Sequence, residues 1–289
     1  MNRLPLAVNF CPTGMVPRRR DSPHVPITVA EIVESVHEAS EIGITIAHLH
    51  ARLDDGTPTG SVDVYGKIFE GVRRHCPDVI ICGSSSGRDW PEFERRAEVL
   101  DLRPDLCSLT LSSLNFAAAA SVNEPEMIAR LAGRMRERGV VPELECFDLG
   151  MINYGKYLIR RGVLSGPFYW NLILGNIAGM QATPSEFAAA LQAIPAGYVS
   201  VGGIGRSQLT ANAMAITHGC GIRVGLEDNL HFDRDRRQLA TNAELLQRVH
   251  RLMNEMQYRS MSGSEFRTAI LGAPGPSPDL TGVSGMMRP

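Results

Sequence analysis

The chain lacks several features that would decide its function early. No apolar run approaches the ~20 residues needed to cross a bilayer. The opening Met1-Asn2-Arg3-Leu4-Pro5 leads only into a brief apolar run ending at Phe10, too short for a signal-peptide core followed by a small-residue cleavage site. Charge of one sign is also missing. Lys and Arg number 29 against 31 Asp and Glu, a formal net charge of −2, so neither nucleic acid nor an anionic membrane is expected as a partner. The clusters Arg18-Arg19-Arg20 and Arg234-Asp235-Arg236-Arg237 are short and read as solvated loop charge. Six cysteines, at 11, 76, 82, 107, 146 and 220, form no C-x-x-C pair. Cys82, Cys107 and Cys146 sit in strand-like runs, where a thiol behaves as a small apolar side chain, and a reducing cytoplasmic setting is expected. No G-x-G-x-x-G follows the first strand, so nothing points to a dinucleotide fold.

What is present is a regular alternation. With 44% hydrophobic residues the chain can bury a large core. Short apolar runs read as strands at Leu4–Phe10, Ile44–His50, Val79–Ser84, Leu106–Leu111, Val141–Phe147, Phe168–Leu174, Tyr198–Val201 and Ile222–Glu227. Amphipathic stretches between and after them read as helices: Thr28–Ile42, Tyr65–His75, Trp90–Leu100, Glu126–Arg138, Ile152–Arg161, Pro184–Ala193, Gln208–His218 and Asn242–Gln257. Thr28 with Glu31 makes a capping box, and Gly139, Gly162 and Gly219 each follow a basic helix end. Eight strands each followed by a helix is the count of an α/β (β/α)8 TIM barrel, expected as a single catalytic domain over residues 1–272. A doubly wound open sheet is the alternative. Ser262–Leu271 reads as one extra helix, and the Gly-, Pro- and Ser-rich tail 273–289 reads as an arm or a disordered segment.

In such a barrel the chemistry sits at the C-terminal strand ends. The second strand ends in His48-Leu49-His50-Ala51-Arg52. Residues two apart on a strand face the same way, so the two imidazoles can lean onto one ion. On the eighth strand Ile222, Val224 and Leu226 share the helix-facing side, which turns Arg223, Gly225 and Glu227 inward. Strands two and eight are both even, so His48, His50 and Glu227 can meet in one layer. Two imidazoles and a carboxylate with an open position form a common catalytic zinc set, and another divalent ion also suits these ligand types. Arg223 is either paired with Asp228 or poised for a substrate carboxylate, and Asp228 could act as a base oriented by it. Glu143 and Glu145 face one way, although Glu143 could equally anchor a basic residue lower in the barrel. The Ser84–Ser86 run offers donors for a substrate carboxylate, with Ser84 and Ser85 both candidates, and Asn9 at the end of strand one is counted with them. Gly202, Gly203 and Gly205, followed by Arg206 at a helix start, resemble an anion cradle suited to the phosphates of a cofactor.

Taken together and in order, His48-Leu49-His50-Ala51-Arg52, Pro142-Glu143-Leu144-Glu145, Phe147-Asp148, Gly202-Gly203-Ile204-Gly205-Arg206 and Arg223-Val224-Gly225-Leu226-Glu227-Asp228-Asn229 resemble the β-keto acid cleavage enzymes, from about residue 4 to residue 272. The resemblance implies a zinc-dependent TIM barrel, usually a homotetramer. Such an enzyme condenses a β-keto acid with acetyl-CoA and releases acetoacetate and a new acyl-CoA. It implies His48, His50 and Glu227 as zinc ligands and Arg223 with Asp228 as the dyad that activates the substrate. Ser84 (or Ser85) and Glu143 match substrate-site positions, and Ser108 matches a hydroxyl position. The member that acts on an amino-substituted substrate has an acid after strand one. Here that stretch is Val8-Asn9-Phe10-Cys11-Pro12-Thr13-Gly14, with no carboxylate, so a neutral substrate side chain is expected. The alternatives are a metal-dependent hydrolase or aldolase acting without CoA, and a non-catalytic barrel with a structural metal.

Overall fold

In a computed structural model, which describes residues 4–272, eight parallel strands close on themselves. They are β1 (Val8–Phe10), β2 (Ile46–His48), β3 (Ile80–Gly83), β4 (Leu106–Thr110), β5 (Val141–Cys146), β6 (Tyr169–Leu174), β7 (Tyr198–Gly203) and β8 (Gly221–Val224). Each pairs with its neighbour in chain order, and β8 returns to β1 with Ile222 opposite Val8 and Arg223 opposite Asn9. This closure establishes the TIM barrel and excludes the open doubly wound sheet. The tail 273–289 lies outside the described residues.

The helices pack around the outside. The capping box at Thr28 and Glu31 is present, with the Thr28 side chain accepting from the Glu31 N–H and the Glu31 carboxylate accepting from Thr28 N–H. The segment read as Trp90–Leu100 is a short α-helix, Phe93–Ala97, that tightens into a 3-10 turn over Glu98–Leu102. The helix read as Ile152–Arg161 starts three residues earlier, at Leu149. Asp148, one residue past the strand read as Val141–Phe147, is its N-cap and accepts from Met151 N–H at 2.8 Å. The eight-residue segment Leu114–Ser121 adds a small antiparallel hairpin that periodicity did not reveal, with Leu114 opposite Ser121.

Most strand bounds move by one or two residues, and the first and last strands differ from the sequence reading for a physical reason. The segment Leu4–Phe10 is two strands. Leu4–Leu6 leaves the barrel to pair with Tyr258–Ser260, and only Val8–Phe10 belongs to the wall. The last strand stops at Val224 instead of reaching Glu227, because Gly225 takes φ +152°. A Cβ at that position would lie 2.1 Å from the Cys11 carbonyl oxygen, so only glycine allows the turn and the close approach together. Glu227 therefore stands on a turn after β8, held by its N–H to Cys11 O at 3.1 Å.

The barrel interior is divided by height. Its base is apolar, built from Ala7, Ile46, Ile80, Leu106 and Tyr169 and closed from below by Met261, Phe266 and Ile270. Phe266 stands edge-on to Tyr169 and Tyr198, at 5.5 and 5.8 Å between ring centroids. The predicted extra helix supplies this plug, as an α-turn over Gly263–Phe266 followed by a π-turn over Arg267–Leu271. Above the base the inward positions turn polar: His48, Asn9, Glu143, Glu145, Asn171 and Arg223 are all buried. Gly225→Ala is expected to cost about 3 kcal/mol of stability, from positive-φ strain and the carbonyl clash. Denaturant unfolding checks this, and a loss under 1 kcal/mol would show that the turn can relax.

Candidate active site

The two histidines reach the site by different routes. His48 is the last residue of β2, and His50 lies beyond it in chain kept extended by Leu49 N–H donating to Cys82 O at 2.9 Å. Their Nε2 atoms are 3.2 Å apart. Glu227 Oε1 approaches them at 3.3 Å from His50 Nε2 and 3.9 Å from His48 Nε2. Two imidazole nitrogens and one carboxylate oxygen thus converge on one point.

The turn carrying Glu227 is held from behind. Gly14, at φ +65°, leaves room for that side chain; a Cβ there would meet Glu227 Cγ at 2.5 Å. Arg52, the last residue of the His48–Arg52 run, donates to Gly14 O from Nε and Nη2 at 3.1 and 2.6 Å, and to Gly56 O at 2.8 Å. It is a buried clamp on loops rather than a ligand.

Beneath the convergence point lies a fully enclosed network. Glu143 Oε2 bonds His48 Nδ1 at 2.7 Å and accepts from Cys82 Sγ at 3.3 Å. Glu143 Oε1 accepts from Asn9 Nδ2 at 2.6 Å and from Asn171 Nδ2 at 3.0 Å, and Asn9 also donates to Tyr169 OH at 3.0 Å. Burial alone would raise Glu143, but His48 and Arg223 outweigh it and hold the carboxyl below its usual range. Burial likewise works against a charged His48, yet Glu143 and Glu227 lift it to about 9. His50, with burial dominant, is lowered.

Arg223 lies across the other side. Its Nε donates to Asp228 Oδ2 at 2.8 Å and its Nη2 to Glu227 Oε1 at 2.7 Å, while Nη1 is 3.6 Å from Glu145 Oε1. The two adjacent acids respond oppositely. Glu227 is pushed well down, because His50, Arg223 and His48 overcome its burial. Asp228 is raised, because burial and the neighbouring Glu227 charge overcome Arg223. Glu145, which accepts from Thr110 Oγ1 at 2.7 Å, is also raised by burial.

Among the described residues, two groups of side chains come close enough to hold a metal ion, and His48 belongs to both. In His48–Cys82–Glu143, both Glu143 oxygens are already occupied and the carboxylate is sealed from solvent. In His48–His50–Glu227, Glu227 Oε2 is buried without a hydrogen bond, and His50 lines a narrow cleft with Met15, Tyr65, Ser84, Ser86 and Trp90. An orphaned buried carboxylate oxygen, two imidazoles and adjoining open space fit a divalent ion. The second group is the one that fits.

The other sequence-picked positions divide between the cleft and its supports. Ser84 lines the cleft, whereas Ser85 turns away and donates to Ser108 O at 2.6 Å. Ser108 Oγ accepts from Ser85 N–H and reaches Ser84 Oγ at 3.4 Å. Asn9 and Glu143 lie beneath His48, not at the cleft. The glycine turn has its amides engaged: Gly205 N–H donates to Asp228 O at 2.7 Å and Ser207 N–H to Ile204 O at 3.2 Å. Gly203 ends β7 and Arg206 is exposed, so this turn fixes the backbone of Asp228. Sequence reasoning missed Cys82 and Asn171 as members of the network. Asn171 was visible as an inward polar position in the otherwise apolar Tyr169–Leu174 run.

Residues 5–272 match the family model described as beta-keto acid cleavage enzyme. The chain belongs to that family. Its relatives include a 3-oxoadipate:acetyl-CoA acetyltransferase of Cupriavidus necator, 36% identical over 93% of this chain and 95% of that one. A 3-keto-5-aminohexanoate cleavage enzyme of Acetoanaerobium sticklandii is 34% identical over 94% of this chain and 99% of that one. Among solved structures, a ternary complex of ObcA with a C4-CoA adduct and oxalate superposes with a TM-score of 0.73 at 20% identity, covering 86% of this chain and 68% of that one, a likeness of fold.

For this family member the His48–Glu143 bond gives a direct test. If a divalent ion sits at His48–His50–Glu227, Glu143→Gln is expected to weaken its binding 10- to 100-fold with the fold retained, because a carboxylate behind a ligating imidazole raises its basicity and fixes its tautomer. A metal also has to displace the His48 proton. Affinity is therefore expected to climb about tenfold per pH unit below about 9 and then level off, with close to one proton released near pH 7. Titration calorimetry in buffers of different ionisation enthalpy checks both; pH-independent affinity with no proton release would contradict the second.

Proposed function

We propose that this family member is a zinc-dependent enzyme that condenses a β-keto acid with acetyl-CoA and releases acetoacetate and a new acyl-CoA. The observation that carries the reading is the convergence of His48, His50 and Glu227 beside an Arg223–Asp228 pair whose carboxyl is raised. The acyl-CoA chemistry in the relatives' names supports it. His48, His50 and Glu227 would hold the ion, which supplies Lewis-acid polarisation of the substrate ketone and stabilisation of enolate charge.

The chain's own residues supply the rest. Asp228, held by Arg223 and biased toward the neutral acid, has the basicity to take a proton from C2 of the β-keto acid and to return it later. The C2 carbanion attacks the acetyl-CoA carbonyl, and CoA leaves as thiolate. The thiolate then attacks the substrate's own C3 ketone, and the C2–C3 bond breaks. Acetoacetate departs with the proton from Asp228, and the C3 acyl group remains on CoA. Every atom of the two substrates is accounted for, and no side-chain nucleophile is needed. Ser84 offers its hydroxyl to the substrate carboxylate from the cleft wall, and Ser85 and Ser108 set its position. Asn9 and Glu143 act through His48. Gly205 fixes Asp228 through its N–H, and exposed Arg206, with Gly203 before it, remains the part of that turn suited to a CoA phosphate. The reading includes a homotetramer in the cytoplasm with no nucleic-acid or membrane partner. It draws on the family resemblance and on cysteines that are unpaired among the described residues, where no helix is long and apolar enough to cross a membrane.

Zinc-loaded protein should yield acetoacetate only when acetyl-CoA and a β-keto acid are both supplied. Turnover without CoA would favour a hydrolase or aldolase instead. Asp228→Asn is expected to lower kcat by 10²–10⁴ while metal content is kept. His48→Ala should keep the fold but lose both metal and activity; a well-metallated, active His48→Ala protein would remove the ligand assignment.

A further inference from the structure

We propose that Arg88 is a specificity residue that binds a second carboxylate at the far end of the substrate, so that the preferred β-keto acid is a dicarboxylic one. The proposal rests on the reading above and departs from the neutral side chain expected from the sequence.

The arginines around the mouth of the barrel show why Arg88 stands apart. Arg52 is spent on the carbonyls of Gly14 and Gly56. Arg96 is spent on Ser85 O at 2.8 Å, Val122 O at 3.4 Å and Asn123 Oδ1 at 2.7 Å. Arg223 is held by three acids. The Arg88 guanidinium, partly withdrawn from water, makes no hydrogen bond or ion pair among the described residues. Its contact is the ring of Phe116, 4.1 Å from Cζ to centroid, and Phe116 stands edge-on to Phe147 at 5.7 Å. Five donors held against an aromatic face, with none used among the described residues, form a preorganised fork for a planar anion.

Its place in the chain directs it to the substrate. Ser84, Ser86 and Trp90 of the same loop line the cleft over His50, and Arg96 fixes the loop from below through Ser85 O. Burial lowers Arg88, while Glu227, Asp89 and Glu145 oppose that from beyond ion-pair distance, which places the guanidinium within the field of the site acids. The carboxylate next to the reacting ketone has Ser84 close to His50. A group four residues further along the loop, over the hairpin bearing Phe116, serves the opposite end of a longer substrate. With no carboxylate between Asn9 and Gly14 and a free guanidinium here, the site is complementary to an anionic end and opposed to an ammonium.

The test compares the six-carbon 3-keto dicarboxylic acid with the six-carbon 3-keto monocarboxylic acid. It uses zinc-loaded wild type, Arg88→Ala and Arg88→Lys, both by acetoacetate release and by calorimetric binding without acetyl-CoA. Wild type is expected to favour the diacid. Arg88→Ala is expected to lose on the order of 100-fold on the diacid in Kd and kcat/KM, with the monoacid changed less than threefold and the acetyl-CoA KM unmoved; Arg88→Lys should recover part of the loss. Equal losses on both acids would overturn the proposal in favour of the shared carboxylate or a loop prop. A rise confined to the acetyl-CoA KM would overturn it in favour of the CoA phosphates. Arg88-dependent preference in binding without acetoacetate would sink the reaction reading and leave Arg88 assigned, whereas acetoacetate formed without diacid preference would sink the Arg88 assignment alone.

Discussion

The mouth of the barrel is organised around one hydrogen bond, between His48 Nδ1 and Glu143 Oε2, made with both side chains almost wholly out of water. A buried carboxylate is expensive unless every lone pair is used. Here Asn9, Asn171, Cys82 and His48 all point at it. Its cost is offset, and in return it fixes one tautomer of His48 and aims Nε2 upward at His50 and Glu227. Because Glu143 comes from β5, His48 from β2, Asn9 from β1 and Asn171 from β6, the bond also ties together strands that are not neighbours around the wall. Removing one partner would leave a buried charge, a loss of about 3–5 kcal/mol in comparable buried pairs.

The third converging group depends on a different constraint, the path of the backbone after β8. Gly225 breaks the strand, Gly14 leaves the space, and Arg52 grips the Gly14 carbonyl from below. Glu227 thus owes its position to three residues that touch no ligand atom. The run from His48 to Arg52 accordingly carries two jobs at successive alternate positions: the histidines face the convergence point and the arginine holds the loop opposite them.

Much of this was legible in the chain, and the limits have physical causes. The eight strands were visible because fully buried parallel strands are near-continuous apolar runs, and the inward side of β8 followed from Ile222 and Val224 facing the helices. His48, His50 and Glu227 were brought together by counting strands and faces, although Glu227 reaches them from a turn. The break at Gly225 could not be read, because a glycine inside an apolar pattern does not announce its φ. Glu143 was visible as inward, but whether it faced substrate or the back of His48 depends on its height in the barrel, which register decides. The split of Leu4–Phe10 was hidden for the same reason: its first half pairs with Tyr258–Ser260, some 250 residues away in the chain. Arg88 was hidden because an arginine in a serine-rich loop looks solvated until the aromatic ring beneath it is placed.

Glu227 and Asp228 show how the site separates two jobs with identical chemistry. They are consecutive carboxylates sharing one guanidinium, and both are largely withdrawn from solvent. Glu227 has two imidazoles facing it and stays charged, whereas Asp228 is held by Arg223, feels His48 less and lies beside the Glu227 charge, so its proton is held more tightly. Where neighbouring acids are driven apart in this way, the lower one is suited to hold a cation and the higher one to carry a proton. The direction of that split comes from the placement of His50 across from Glu227 and from the turn that puts Asp228 one residue beyond imidazole reach. A charge placed nearer Asp228 would collapse the difference, and the Gly205 N–H secures it by fixing the Asp228 backbone rather than by adding charge.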